Sequence, residues 1–589
     1  MIVLGLSGAL RHDPSAALLV DGEVVAAVEE ERFTRDKHAK NTPPKQSALY
    51  CLEHAGIAPQ DVDVVAFPYA PISLSSPARW HYAKRHWYAP DRALEALING
   101  NRRFRQHKKE IYALGDELGI NWQHAQFIPV EHHLSHASSC YHMAPFDGKA
   151  AILGVDGKGE YATTFFGYGE NGQIHTIKEF YDPDSLGGLY GAITEYLGFE
   201  MLDGEYKVMG MAPYGDPSKF DLSPLIQSQD GEFRVNNRLV NTLGIRRYKE
   251  GERGFFFSPK LIDWLGPRRV GDIADEPYIH YAASMQQLFE DWVLRLVDKY
   301  LGDVIRETGK LAFAGGGALN VKLNQKLLAR GDIKELFVQP ASGDSGTALG
   351  AATYVAEQFA QPSQSQLYQR VVKPLKHVYL GPSYDNNQCL AAIETHEQAN
   401  EDTCSWQLMT TPVEQTADIL ALGHPVAWFH GRMEFGPRAL GGRSILGCPD
   451  APGIADRINE QIKFRERWRP FCPSMLDSVA EEILQTDHPA PYMTITFEVA
   501  ESWRSRIPEV VHEDGTARAQ VVSEHQNPRY YQLLQAMQQR TGNGVLLNTS
   551  LNRRGEPMVC SPQDALNMFF GSDLRYLVLE DWLIQKKTS

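Results

Sequence analysis

The opening run "IVLGLSG" with "SAALLVDGEVVAAVEEE", and the stretch "AILGVDGKGEYATTFFGYGENGQIHTIKEF" from residue 151, carry one pattern twice. Each reads as an apolar strand, a turn of small residues, a second strand, a two-residue hairpin turn (Asp21-Gly22, then Asn171-Gly172) and a third strand. From the glycine of the first strand to the hairpin turn is 16 positions in one copy (Gly5 to Asp21) and 17 in the other (Gly154 to Asn171). Helical sequence follows both. A duplication of this kind predicts two similar α/β lobes facing one another across a cleft, with each first turn aimed into it.

Such turns suit phosphates. In "DGKGEYATT", Gly157 and Gly159 allow close approach, Asp156 can hold a cation or water, and Thr163 and Thr164 offer hydroxyls, although a plain β-turn explains the same residues. "KLAFAGGGALNVKLNQKLL" reads as a strand, three glycines (Gly315, Gly316 and Gly317) and a helix whose N-terminus faces an anion. It lacks the lysine and Ser/Thr of a P-loop and does not match the dinucleotide fingerprint. In "QPASGDSGTALGAA", Asp344 or Ser345 can cap a helix beginning near Gly346.

In "VEHHLSHASS", His132 and His136 stand four apart, so a helix sets both imidazoles on one face while His133 points elsewhere. The spacing permits a metal site and equally permits a hydrogen-bonded helix face. With Asp344 as a third, oxygen ligand the pair becomes a three-ligand site with open positions.

At 589 residues the chain is too long for one core and should form two or three domains. Its net charge of −15 argues against non-specific nucleic-acid binding over the whole surface. Seven scattered cysteines without a C-x-x-C pair indicate neither a zinc ribbon nor a disulfide framework and suit a reducing cytosol. The N-terminus lacks a basic region before its apolar run, and no run approaches the length of a membrane span, so a cytoplasmic location is expected. The polar stretch "QPSQSQLYQRVVKP" (361–374) reads as a linker between a domain of residues 1–360 and one of residues 375–589.

"HHLSHA", "VDGKGE", "EYKVMGMAPYG", "GGGALN", "GDSGTALGAA", "GRMEFGPRALGGRSIL" and "LNRRGEP" occur in this order over nearly the whole chain. In that combination the sequence resembles the NodU/CmcH family of O-carbamoyltransferases. The resemblance implies an α/β protein in two parts. The first has a duplicated actin-like fold (sugar kinase/actin superfamily), similar to the universal tRNA-threonylcarbamoylation protein; the second is a YrdC-like α/β domain. It further implies that carbamoyl phosphate and ATP form carbamoyl-adenylate at the C-terminal site, and that the carbamoyl group passes to an acceptor hydroxyl at a metal-containing N-terminal site.

Carried over by residue, the metal ligands are His132, His136 and Asp344, holding a divalent ion; iron is the first choice, with zinc, manganese and magnesium as alternatives. The His-Asp pair of the family falls on His12 and Asp13, either of which could be the base for the acceptor hydroxyl, while Asp13-Pro14 also simply makes a turn. Lys207 and Asn320 join Asp156, Gly157, Gly159 and the three glycines at the nucleotide site. Arg438, Lys463, Arg469, Asn548 and Ser550 fall on the carbamoyl phosphate and adenylate positions. Between Arg432 and Arg469, eight basic residues meet five acidic ones, a local anion pocket in an acidic chain. Gly442 departs from the family, which usually has asparagine there.

The acceptor is less legible. Residues 79–109 hold nine Lys/Arg against two Asp/Glu, interleaved with Trp80, Tyr82, Trp87, Tyr88 and Phe104. This suits an anionic, sugar-bearing partner such as a phosphorylated glycan, glycolipid or natural product, and equally RNA, a membrane surface or a solvated helical pair. No stable nucleic-acid partner is expected, and a homo-oligomer is left open. A sugar kinase of the same superfamily, a tRNA threonylcarbamoyl-type transferase and a non-catalytic scaffold are the competing functions.

Overall fold

The structure, a computed structural model, describes residues 1–271, 275–359, 369–399, 404–463, 468 and 470–587. Residues 361–368 of the expected linker, and Arg469, lie outside the described residues. The chain divides into two compact units, Met1–Val25 with Asn41–Leu375, and Ala26–Lys40 with Lys376–Ser589.

Ten strands build the two large sheets of the N-terminal region: β1 (Ile2–Leu6), β2 (Ser15–Val20), β3 (Glu23–Glu29), β4 (Val64–Phe67), β5 (Gln126–Pro129), β6 (Ala150–Val155), β7 (Ala162–Glu170), β8 (Gln173–Tyr181), β9 (Lys310–Ala314) and β10 (Glu335–Val338). One sheet runs β3-β2-β1-β4-β5 and the other β8-β7-β6-β9-β10. In both, the first strand is central, pairs antiparallel with the second on one side, and pairs parallel with a later strand on the other. The outermost strand on that side is parallel too. This is the duplicated α/β arrangement that the repeat predicts.

The repeat is legible because its turns are demanding. Asp21 and Gly22 have φ of 48° and 78°, and Asn171 and Gly172 have 50° and 71°, the left-handed pair that a tight hairpin requires and that Asp-Gly and Asn-Gly accept readily. The central strands β1 and β6 are buried almost end to end, as expected where both faces of a mixed sheet are covered.

Each copy ends in a helix. After β5 comes His132–Tyr141, and after β10 comes Gly346–Phe359. Their backbones nearly touch: a Cβ on Gly350 would lie 1.8 Å from the Ser135 carbonyl oxygen. The Ser138 and Thr353 hydroxyls meet at 2.8 Å across the same seam.

The "GGGALN" stretch differs from expectation. Gly316 and Gly317 open a 3-10 turn, Gly316–Leu319, that precedes the helix Val321–Leu328, and the Asn320 side chain caps that helix by accepting from the Leu323 amide. The glycine turn and the helix N-terminus are therefore two features, not one.

The C-terminal unit is built on one mixed sheet of eight strands. Their spatial order is Cys404–Leu408, Trp582–Lys586, Tyr576–Leu579, Val426–Phe429, Arg443–Gly447, Val545–Ser550, Cys472–Leu476 and Gln520–Val522. Ala26–Lys40, which the sequence placed inside the first domain, groups with this unit. Its Arg35 donates to the Pro557 and Met558 carbonyls, and its Glu29 accepts from the Gly436 amide.

His142 ties the first of the two closing helices to the second hairpin. It is buried, with Nδ1 2.8 Å from the Ser138 hydroxyl and Nε2 3.1 Å from the Gly172 carbonyl, so Nε2 carries the proton and donates. Burial, and after it the neighbouring Arg370, hold its pKa down at about 4. A depressed histidine stabilises the fold above its unfolded value of 6.5 and loses that contribution as pH falls towards about 4, roughly 3 kcal/mol in all. Between those pH values the urea midpoint of the wild type should fall more steeply than that of His142→Gln. Parallel pH profiles would contradict this.

Candidate metal centre

Four positions of the repeat converge. The β1–β2 turn carries His12 and Asp13, and the equivalent β6–β7 turn carries Asp156. The helix after β5 begins with His132 and His136, and Asp344 lies just before the equivalent helix after β10. His132, His136, Asp156 and Asp344 each present one donor atom, all within 4.8 Å of one another.

The two Nε2 atoms are 3.2 Å apart. His132 Nε2 lies 3.5 Å from Asp344 Oδ1 and 3.5 Å from Asp156 Oδ2, and His136 Nε2 lies 3.7 Å from Asp344 Oδ1. Donors held at about 2.1 Å by one ion at tetrahedral or octahedral angles stand roughly 3.0–3.5 Å from each other. These four distances are within a few tenths of an ångström of that spacing, so the residues fit a divalent cation. The Nδ1 atoms of both histidines are buried and have no hydrogen-bond partner among the described residues, so packing among those residues sets the ring orientation.

The electrostatics point the same way. Burial opposes charge on His132, yet the Asp344 carboxylate and its hydrogen bonds to Asp156 and Asp344 hold its pKa well above the usual histidine value. Burial and the Asp344 charge push against ionisation of Asp156, but the His132 hydrogen bond and the two imidazoles bring it down to about 2. Asp344 is likewise held well below the carboxylate range, burial being outweighed by His132, His136 and His12. Two ionised carboxylates facing two imidazoles form an electronegative pocket for a cation.

His12 stands at the rim. Its Nδ1 is 2.9 Å from Asp13 Oδ2 and its Nε2 is 3.8 Å from Asp344 Oδ2. Burial disfavours its charge, but the Asp13 hydrogen bond and the nearby carboxylates raise its pKa to about 9. Asp13 adopts φ of 50°, with its carbonyl accepting from the Ser7 hydroxyl, and this turn aims the imidazole inward. His133 points away from the cluster, and burial together with the His132 charge lowers its pKa to about 3.

The residues expected at a nucleotide site separate. Asp156 belongs to the histidine cluster, and its other oxygen accepts from the Gly316 amide, joining the glycine turn to the metal centre. Gly159 packs against His132 and His133, whereas Gly157 faces open space. Asn320 is a cap and exchanges two hydrogen bonds with Gln286. Lys207 lies over the Phe199 ring. Glu160, in the quoted "VDGKGE" but not singled out, accepts from the backbone amides of Ala70 and His132 and so sets the start of the ligand helix.

In the C-terminal unit Lys463 is buried and donates to the Ser550 carbonyl and hydroxyl and to the Asn552 carbonyl and side-chain oxygen. Asn548 Nδ2 donates to the Ala439 carbonyl, beside Arg438, and to the Ser474 hydroxyl, while its Oδ1 is buried with no partner among the described residues. Lys463, Ser550, Asn548 and the chain at Arg438 thus gather around the edge where Val545–Ser550 lies between Arg443–Gly447 and Cys472–Leu476. Asn552, one residue into "LNRRGEP", is the partner of Lys463 that sequence reading passed over. At Gly442 a Cβ would stand 3.0 Å from the Glu434 carboxylate, which accepts from the Leu440 and Gly442 amides.

Comparison with known proteins gives two family matches: Carbamoyltransferase N-terminus over residues 2–353 and Carbamoyltransferase C-terminus over residues 417–586. An uncharacterized protein of Synechocystis sp. is 39% identical, with 99% of this chain and 96% of that protein covered. Nodulation protein NolNO of Sinorhizobium fredii is 36% identical over 100% of this chain and 83% of its own length. Among solved structures, full-length HypF in its phosphate- and nucleotide-bound form aligns with 61% of this chain and 56% of its own, at 12% identity and a TM-score of 0.31.

Replacing a ligand should show in metal content. His136→Ala and Asp344→Asn are expected to lower the divalent metal retained after dialysis by about 10–100-fold, with Asp156→Asn falling between them and wild type. Mass-spectrometric metal analysis checks this, and equal retention in all four proteins would refute the site.

Proposed function

The chain belongs to the carbamoyltransferase family, and we propose that it is an ATP-dependent O-carbamoyltransferase with its two chemical steps on separate units. In the C-terminal unit, water releases phosphate from carbamoyl phosphate, and an oxygen of the resulting carbamate attacks the α-phosphorus of ATP to give carbamoyl-adenylate and pyrophosphate. Lys463, Arg438 and Arg469 supply positive charge for phosphate oxygens, and Asn548 and Ser550 offer amide and hydroxyl groups to the planar carbamoyl. The buried Asn548 Oδ1, with no partner among the described residues, supports this role, because it can accept from a carbamoyl N–H.

In the N-terminal unit the acceptor hydroxyl attacks the carbamoyl carbon, and AMP leaves. His132, His136, Asp156 and Asp344 would hold one divalent cation, which supplies Lewis-acid polarisation of carbamoyl or phosphate oxygens. With the charges of Asp344 and Asp156 taken up by a bound cation, the field that raises the His12 pKa would be relieved, and the neutral ring would take the hydroxyl proton on Nε2, the nitrogen facing the cluster, while Asp13 orients it through Nδ1. Nucleotide contact falls to the β6–β7 turn and the Gly315–Gly317 backbone beside it. The acceptor is read as a sugar hydroxyl on a glycan, glycolipid or natural product.

The observation that carries this reading is the convergence of four ligand-type side chains with a His-Asp pair at the same spot. A sugar kinase needs no such set and releases no pyrophosphate. Carbamoyl-phosphate-dependent pyrophosphate release by the purified protein is the test, and ADP formation without it would favour the kinase.

The division of labour predicts opposite defects. His136→Ala should abolish transfer and leave pyrophosphate release within about twofold, whereas Lys463→Ala should block release while a supplied adenylate is still used. His12→Ala should slow transfer by about 10²–10⁴-fold. Equal loss of pyrophosphate release in the His136 and Lys463 variants would overturn the scheme.

A further inference from the structure

Residues 79–109 play no part in the chemistry above, yet they form the most unusual surface of the N-terminal unit. Three helices occupy the region: Pro77–Arg85, Pro90–Asn99 and Arg102–Leu118. Their inner side is well anchored. Arg79 is buried and donates to the carbonyls of Ile72, Ala96 and Leu97, pinning the start of the first helix to the end of the second.

Their outer side leaves large apolar groups in water. Trp80 is 55% exposed, Trp87 70%, Leu94 57% and Ile98 74%; Leu74, whose carbonyl accepts from the Trp80 indole, is 54% exposed. Trp80 and Lys84 stand one turn apart on the first helix, with Trp87 in the turn that follows it, and Leu94 and Ile98 stand one turn apart on the second. Around them Lys84, Arg92, Arg102, Arg103, Arg105, Lys108 and Lys109 are all exposed, against an exposed Asp91 and a half-buried Glu95 that pairs with Arg92 and Arg102. In a chain of net charge −15 this is a local reversal of sign.

At one edge lies a cavity of about 280 Å³, lined by Arg92 and Arg247 as well as Ala89, Asp91, Leu243 and Gly244. Arg247 Nε is buried without a hydrogen-bond partner, and Arg246 lies 3.8 Å from the centre of the Tyr88 ring and 5.5 Å from that of Trp87. Guanidinium groups beside a cavity of this size suit a phosphate headgroup.

We propose that this surface docks on an anionic phospholipid bilayer, with Trp80, Trp87, Leu94 and Ile98 entering the interface and the surrounding cations meeting lipid phosphates. Exposed tryptophan and aliphatic side chains edged by lysine and arginine are the composition that partitions into a membrane interface. A soluble sugar would leave Leu94 and Ile98 in water, and a folded protein partner would have to match with acids the five cations that Glu95 does not pair. Docking of this kind would bring the enzyme to acceptors displayed at a bilayer, but binding itself is independent of the carbamoyl reaction and is read without turnover.

The test is co-sedimentation of the full-length protein with vesicles of phosphatidylglycerol and phosphatidylcholine, and with phosphatidylcholine alone, at low and high salt. The wild type should pellet with the anionic vesicles, pellet poorly with neutral ones, and be released by salt. Trp80→Ser/Trp87→Ser and Lys108→Glu/Lys109→Glu should each lower anionic-vesicle binding by about tenfold with unchanged thermal unfolding, because these side chains are exposed. No pelleting, or equal pelleting of wild type and both variants, overturns the proposal. So does tight binding of the same face to RNA or a soluble protein that vesicles cannot displace.

Discussion

Backbone-to-backbone contact at two glycines is what the His-Asp cluster depends on. A Cβ on Gly5, in the middle of β1, would lie 2.0 Å from the Ala348 carbonyl oxygen, and one on Gly350 would lie 1.8 Å from that of Ser135. The helix Gly346–Phe359 therefore sits directly on the first sheet and directly on the histidine helix, closer than any side chain allows. Asp344, at the start of that helix, is carried to within 3.5 Å of His132 by this approach. Serine 15 adds a lock, its hydroxyl donating to the Ser345 carbonyl at 2.6 Å.

The duplication explains why one spot can gather so many ligand-type groups. Equivalent turns of the two copies deliver His12 with Asp13 and Asp156, and equivalent helix starts deliver the histidine pair and Asp344. Neither copy holds the set alone. Placing two ionised carboxylates and two imidazoles out of water is unfavourable by several kcal/mol per unpaired charge, so the cluster is balanced only by protonated imidazoles or by a bound cation. The raised pKa of His132 and His12 and the lowered pKa of Asp156 and Asp344 are the two sides of that balance.

Much of this was legible in the residues. Asp-Gly and Asn-Gly turns announced both hairpins because few dipeptides tolerate two left-handed residues in succession. The i,i+4 spacing of His132 and His136 announced a shared face because the helical period fixes it. Less was legible where a role depends on contacts distant in sequence. Asp156 read as part of a phosphate turn, and only folding shows that it reaches His132, 24 positions away, while its second oxygen holds the Gly316 amide. The glycines of "GGGALN" and the helix after them looked like one anion-binding device, yet Asn320 closes the helix itself. Asn552 gave no local sign of its bond to Lys463, and Ala26–Lys40 looked continuous with the first lobe although its polar side chains find partners such as Gly436, Pro557 and Met558.

The central claim is that His132, His136, Asp156 and Asp344 exist to share one ion. Anomalous diffraction from crystals of the protein purified without chelator, recorded above and below the iron, manganese and zinc absorption edges, tests it most directly. The account predicts a single strong peak about 2.0–2.3 Å from the Nε2 atoms of both histidines and from an Asp344 carboxylate oxygen. A map with no peak there, or with the ion held by other residues while the two imidazoles hydrogen-bond to carboxylates alone, would contradict it.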